Sequence, residues 1–92
     1  MFSVPSTGVW RVSFSLISNV DTNEYNYVYI YHNQRKIEET QHRTYSEYHG
    51  VTSTGGRELV TRAERGDTFH LGTLGMGGKF YSIMTCFEFL SL

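Results

Sequence analysis

Residues 9–16 alternate strictly. Trp10, Val12, Phe14 and Leu16 fall on one side and Arg11, Ser13 and Ser15 on the other, the period-two pattern of a half-buried β-strand. A polar stretch, 18–24, reads as a connection. Alternation resumes at 25–32, with Tyr25, Tyr27, Tyr29 and Tyr31 set against Asn26, Val28 and Ile30. Both sets are bulky, so this strand is covered on both faces: Val28 and Ile30 enter the core. The tyrosine ladder meets a second layer or another subunit, or else decorates a solvent face with cross-strand pairs.

Residues 32–36 read as a hairpin turn, and 37–44 as a polar edge strand whose charges (Lys36, Glu38, Glu39, Arg43) discourage stray pairing. A helix over 35–41 is the local alternative, though seven residues are short for one. The β pattern returns at 48–52. A turn follows at 53–56, because Gly55 and Gly56 tolerate positive φ, then a strand at 59–63, a turn at 64–67 and a strand at 68–72 carrying Phe69 and Leu71. Half of 72–79 is glycine, which predicts a mobile loop. The aromatic strand 80–90 closes the pattern, with Tyr81, Ile83, Phe87 and Phe89 in one set and Phe80, Met84, Cys86 and Leu90 in the other. About seven strands with no long helix predict an all-β sandwich or jelly roll in a single domain, 1–92.

At 92 residues the chain buries only roughly 60% of its unfolded surface, so association is expected to support it. A formal charge of −1 offers no footprint for nucleic acid or anionic lipid, and no apolar run reaches the ~20 residues that cross a bilayer. The start lacks the basic and apolar regions of a signal peptide. Aromatics make up 15% of the residues and seven are tyrosine, a composition that suits an interface as well as a core rim. One cysteine, Cys86, excludes an internal disulfide. Its place in an apolar strand predicts a small buried hydrophobe.

In order along the chain, Phe2, Pro5, Gly8, Trp10 and Phe14, then Thr54-Gly55-Gly56 with Leu59, Gly66-Asp67 and Phe69, and finally the 82–87 run Ser-Ile-Met-Thr-Cys-Phe, resemble the C1q globular domain, a jelly roll related to tumour necrosis factor. The ending is similar to an invertebrate member. Cys86 stands where that family usually has glycine and Glu88 where it has an apolar residue. The chain also starts where the family has already laid down its first strands. The resemblance therefore implies an N-terminally truncated jelly roll, the C-terminal two-thirds or so of the family domain.

The resemblance implies a secreted, non-enzymatic homotrimer or heterotrimer that binds protein, carbohydrate or microbial-surface ligands in innate defence. The alternative it allows is a structural or hormone-like trimer serving a collagenous or coiled-coil stalk. One set of the last strand would fill the sandwich and the other approach the trimer axis. Tyr25, Tyr27, Tyr29, Tyr31, Phe80, Met84 and Leu90 are the candidate trimer contacts.

Arg65, Asp67 and Lys79 are candidate ligand-loop residues. Arg65-Gly66-Asp67 is the tripeptide of integrin ligands, but it reads first as a tight turn in which Asp67 bonds nearby backbone. Asp21, Asn23 and Glu24 are oxygen donors suited to calcium in type, although the loop lacks the glycine and distant glutamate of an EF-hand, so a solvated turn is the leading reading. His32, His42, His49, His70 and Cys86 have neither zinc-site spacing nor a nucleophile motif, so no cofactor or catalytic role is expected. Arg57, Arg62, Arg65 and Lys79 are interspersed with Glu58, Glu64 and Asp67 and predict a mixed face. Glu88, two residues from the end of an apolar strand, is expected to reach the rim or pair with Arg11.

Overall fold

The computed structural model describes the backbone of residues 1–20, 25–45, 51–76 and 79–92, and within it the side chains of 1–16, 26–43, 55–74 and 83–92. Among these the chain is all-β, with strands β1 (Phe2–Ser3), β2 (Gly8–Val20), β3 (Tyr25–His32), β4 (Arg35–Lys36), β5 (His42–Tyr45), β6 (Val51–Ala63), β7 (Thr68–Met76) and β8 (Lys79–Ser91). A single 3-10 turn, Glu38–Thr40, interrupts them. Every pairing among the described strands is antiparallel.

Two sheets result. Sheet A runs β1-β7-β3-β4 with β5 also on β3, and sheet B runs β6-β2-β8. The alternation in β2 places Trp10, Val12, Phe14 and Leu16 in the core between the sheets, where they meet Val28, Ile30 and Phe69 from sheet A. Both Val28 and Ile30 are completely buried, as their alternation with the tyrosines requires. The pairs nest around the β3–β5 connection: β3 with β5, β2 with β6, β1 with β7. None of the described helical residues forms a span long and apolar enough to cross a membrane.

Several boundaries differ from the sequence pattern. Strand β2 continues through Val20, so the described part of the expected 18–24 connection, residues 18–20, is all strand. The 53–56 turn is absent: Gly55 and Gly56 lie within β6, paired with Leu16 and Ser15. Their glycines supply space rather than a bend, since a Cβ on Gly55 would strike the His42 ring and one on Gly56 the Phe14 backbone. The 72–79 loop is likewise strand as far as Met76 and again from Lys79. Gly72 leaves room for the Tyr31 ring, which lies over it.

The polar segment 37–44 is neither one strand nor a helix. It makes the 3-10 turn and then β5. Where the chain leaves the ladder, Ile30 keeps both backbone bonds through a substitute rung. Its N–H donates to Thr40 Oγ1 at 2.8 Å, its carbonyl accepts from Ile37 N–H at 3.0 Å, and Thr40 donates its own hydroxyl to the Ile37 carbonyl at 2.7 Å. The expected 32–36 hairpin is present, with Asn33 and Gln34 at φ 51° and 67°. Two consecutive positive-φ residues are what a type I′ turn requires.

Candidate interaction surfaces

Sheet B turns one face to the core and the other outward. On the outward face β2 contributes Arg11, Ser13 and Ser15, β6 contributes Glu58, Val60 and Arg62, and β8 contributes Met84, Cys86, Glu88 and Leu90. Arg11 is the centre of this face: its Nη1 lies 3.0 Å from Glu88 and its Nε 3.6 Å from Glu58. The expected Arg11–Glu88 pairing therefore exists, and Glu58 makes it a three-strand row. All three side chains remain solvent-accessible, so the row is worth little while the face is open. Around it stand exposed apolar side chains, Met84 at 68% and Val60 at 51%. A shallow groove of about 180 Å³ follows Ser13, Ser15, Met84 and Cys86. Cys86 is exposed, not buried as its apolar strand suggested, because alternation puts it on the outer face opposite Ser13.

Tyr27, Tyr29 and Tyr31 line the outer face of the other sheet, alternating with the core residues Val28 and Ile30. Tyr29 is buried there: its hydroxyl donates to Gln41 at 3.1 Å and Lys36 lies 4.7 Å above its ring. Tyr31 stacks on His70 at 4.8 Å, and Arg43 lies 6.0 Å from the Tyr27 ring. The candidate trimer contacts thus divide between opposite faces of the molecule, Tyr27, Tyr29 and Tyr31 on sheet A, Met84 and Leu90 on sheet B. Tyr25 and Phe80 are strand residues whose side chains lie outside the described set.

At one end of the sandwich the 64–67 turn is tied down from several sides. Gly66, at φ 90°, donates its N–H to the Val4 carbonyl at 2.9 Å, and Arg65 N–H donates to Thr7 Oγ1 at 2.9 Å. Asp67 Oδ2 accepts from Glu64 N–H at 2.9 Å and lies 3.0 Å from His32 Nε2. The Glu64 amide, then His32 and Asn33, hold the Asp67 carboxyl below its usual pKa. This carboxylate is a turn fastener, while the Arg65 side chain projects to solvent. Lys79 belongs to the other end, since it pairs with Asn19 whereas Gly8 pairs with Ala63 beside the turn. Arg65 and Asp67 are therefore neighbours and Lys79 is not. Nor do Arg57 and Arg62 share a patch: they occupy opposite faces of β6, and Arg57 Nε donates to the Gln41 carbonyl at 3.0 Å.

The calcium candidates Asp21, Asn23 and Glu24 lie outside the described residues, as does His49. Among the described residues no three His, Cys, Asp or Glu side chains converge as a metal site would need. His42 sits between the sheets against Phe14, and neither ring nitrogen finds a hydrogen-bond partner. Burial, reinforced by Arg57, lowers its pKa. Sequence reasoning named His42 only as a candidate metal or nucleophile residue; its environment suits a core aromatic.

The flank of the sandwich where β1, β7 and β8 meet was not anticipated from the residues. Phe2 stacks on Phe87 at 4.1 Å across the two sheets, and beside them an open cleft of about 440 Å³ is lined by Phe2, Phe69, Leu71, Thr85 and Phe87. Comparison of the chain with protein-family models, with curated proteins and with solved structures finds no match.

Proposed function

We propose that this chain is a non-catalytic recognition domain with a C1q/TNF-like jelly roll, acting outside the cell as a homotrimer or as a heterotrimer with related chains, and binding protein or carbohydrate ligands. The observation that carries the reading is the nested antiparallel pairing (β3 with β5, β2 with β6, β1 with β7) distributed over two facing sheets. Strands wound in this order are how a double-sheet jelly roll is built.

Self-association is supported by the outward face of sheet B. Exposed Val60, Met84 and Leu90 surround an ion-paired row, and the chain is small enough to gain from covering them. Covering the face would desolvate Glu58, Arg11 and Glu88, turning a weak surface row into a strict geometric requirement on the partner. Recognition would then fall to the ends of the sandwich, where the 64–67 turn is held rigid and Arg65 is exposed. Three such ends on one particle raise avidity by about 10²–10⁴ without a new contact.

Sedimentation equilibrium across a dilution series, with and without calcium, tests the assembly. A trimer that loses its association on Met84→Lys supports the reading, and a monomer at every concentration overturns it. Binding of the trimer to immobilised lipopolysaccharide and bacterial polysaccharide, weakened by Arg65→Ala, tests recognition separately.

A further inference from the structure

Charge on the outward face of sheet B is balanced in sum but not in place. The row of Glu58, Arg11 and Glu88 sets two carboxylates against one guanidinium. The compensating cation is Arg62, exposed on the β6 margin of the same face, and it makes no ion pair among the described residues. Glu58 lies on the same strand but four residues away, about 14 Å. Glu88 lies on the opposite margin, at the level of Arg11 while Arg62 is at the level of Val9. Two strand spacings, roughly 10 Å, separate β6 from β8, so within one chain Arg62 and Glu88 stay apart.

In water this mismatch matters little. Once the face is covered it becomes unfavourable, because a desolvated guanidinium needs a carboxylate and one guanidinium cannot fully satisfy two. The exposed apolar side chains are divided between the same margins, Val60 on β6 and Met84 and Leu90 on β8. Each margin therefore carries what the other lacks. A second copy laid with its β6 beside this β8 brings Arg62 to Glu88 with an offset of two residues, about 7 Å along the strand, and the same offset sets Val60 against Cys86. Joining like margins would instead bring Glu88 to Glu88 or Arg62 to Arg62.

We propose that copies of this chain join side by side through unlike margins of sheet B, with Arg62 of each copy paired to Glu88 of the next and Val60 set against Cys86. The inference rests on the trimer reading above and gives that trimer its contact. A contact between unlike patches is heterologous, and it closes into a ring when the rotation permits. Strands β6 and β8 both run antiparallel to β2 and are therefore parallel to each other. Rotation about an axis along the strands then repeats one register at every contact, and three contacts close the trimer.

Sedimentation equilibrium on wild type, Arg62→Glu, Glu88→Arg and the double variant tests the contact. Each single reversal sets like charges together at every contact and should weaken association at least tenfold. The double variant restores opposite charges and should recover the wild-type mass at the same concentration. Both side chains are exposed, so urea midpoints near wild type will show that association, not the fold, is lost. A second readout uses Val60→Cys: oxidation with copper phenanthroline should join position 60 of one copy to Cys86 of the next and give covalent trimers on a non-reducing gel, while the wild type, with Cys86 alone, gives none. A wild-type trimer indifferent to either reversal, a double variant that stays dissociated, or cross-linked products that stop at dimers would each overturn the contact and leave the trimer reading in place. A wild-type chain that is monomeric at every concentration overturns both.

Discussion

Replacing Thr40 by valine keeps the shape of a side chain that is 1% exposed and removes the hydroxyl that stands in for a strand. In the native chain that oxygen accepts from Ile30 N–H at 2.8 Å and donates to the Ile37 carbonyl at 2.7 Å. The two losses are unequal. The Ile37 carbonyl still accepts from Thr40 N–H at 3.1 Å, whereas the Ile30 amide, belonging to a residue with no exposed surface, has nowhere to turn. A buried donor left unpaired costs about 1–3 kcal/mol, and this sets the expected destabilisation of Thr40→Val. Thr40→Ser retains both hydrogen bonds and loses one methyl group, about 0.8 kcal/mol. Urea denaturation at a fixed dilute concentration should therefore rank wild type above Thr40→Ser and Thr40→Ser above Thr40→Val, with m-values unchanged. In a domain of this size each kcal/mol corresponds to about 4–8 °C in Tm. Native-state hydrogen exchange should show the Ile30 amide accelerated in the valine variant and nearly unaltered in the serine variant. A valine variant as stable as wild type, with Ile30 still protected, would refute the substitute-rung account of this segment.

Gln34→Gly removes the cost of holding a side chain at φ 67° and should stabilise the hairpin by about 1 kcal/mol, read as a higher urea midpoint; no gain would mean the turn is not type I′ in solution. Because His42 has a lowered pKa when folded, the unfolded chain takes up a proton first, so stability is complete above about pH 6.5 and declines as pH falls toward the folded value. His42→Leu should flatten that part of a pH series of urea midpoints. Asp67, also lowered, contributes stability present above the usual carboxylate pKa and lost as pH falls through the folded one, so Asp67→Asn should remove the more acidic part of the decline. A double-mutant cycle on Arg11→Met and Glu88→Gln should give about 0–1 kcal/mol of coupling in the dilute domain, falling with salt; coupling above about 2 kcal/mol would mean the face is already covered.

The alternation of apolar residues in β2 and β3 was enough to select Trp10, Val12, Phe14, Leu16, Val28 and Ile30 for the core, because a strand's side-chain period is set by its backbone. The 32–36 hairpin, the 64–67 turn and the Arg11–Glu88 pair were legible for the same reason: each depends on near neighbours or on a single register. Glycine was the main source of error. Gly55, Gly56 and Gly72 carry no mark that separates a bend from a clearance, and the rings of His42 and Tyr31 that require the clearance come from other strands. The Thr40 rung could not be read either, since it depends on where Ile30 lies. Cys86 and the β8 edge were missed because exposure of an apolar strand depends on which sheet ends beside it. Candidate surface residues on different strands were grouped by type, whereas pairing sends Lys79 to one end of sheet B and Arg65 to the other.

The nesting of the strands also dictates how the molecule comes into being. The innermost pair, β3 with β5, closes a short loop, whereas β2 must wait for β8, whose Ser91 pairs with Val9. A ribosome that has made β1 to β5 has released β2 with neither of its sheet B partners, and that sheet cannot close until β8 has emerged. Pairings of such long sequence separation place folding in the millisecond-to-second range and leave apolar strands waiting in the meantime. Any lesion late in the chain, a frameshift or a proteolytic nick within β8, would therefore strip Trp10, Val12 and Phe14 of one flanking strand and act on the whole sandwich.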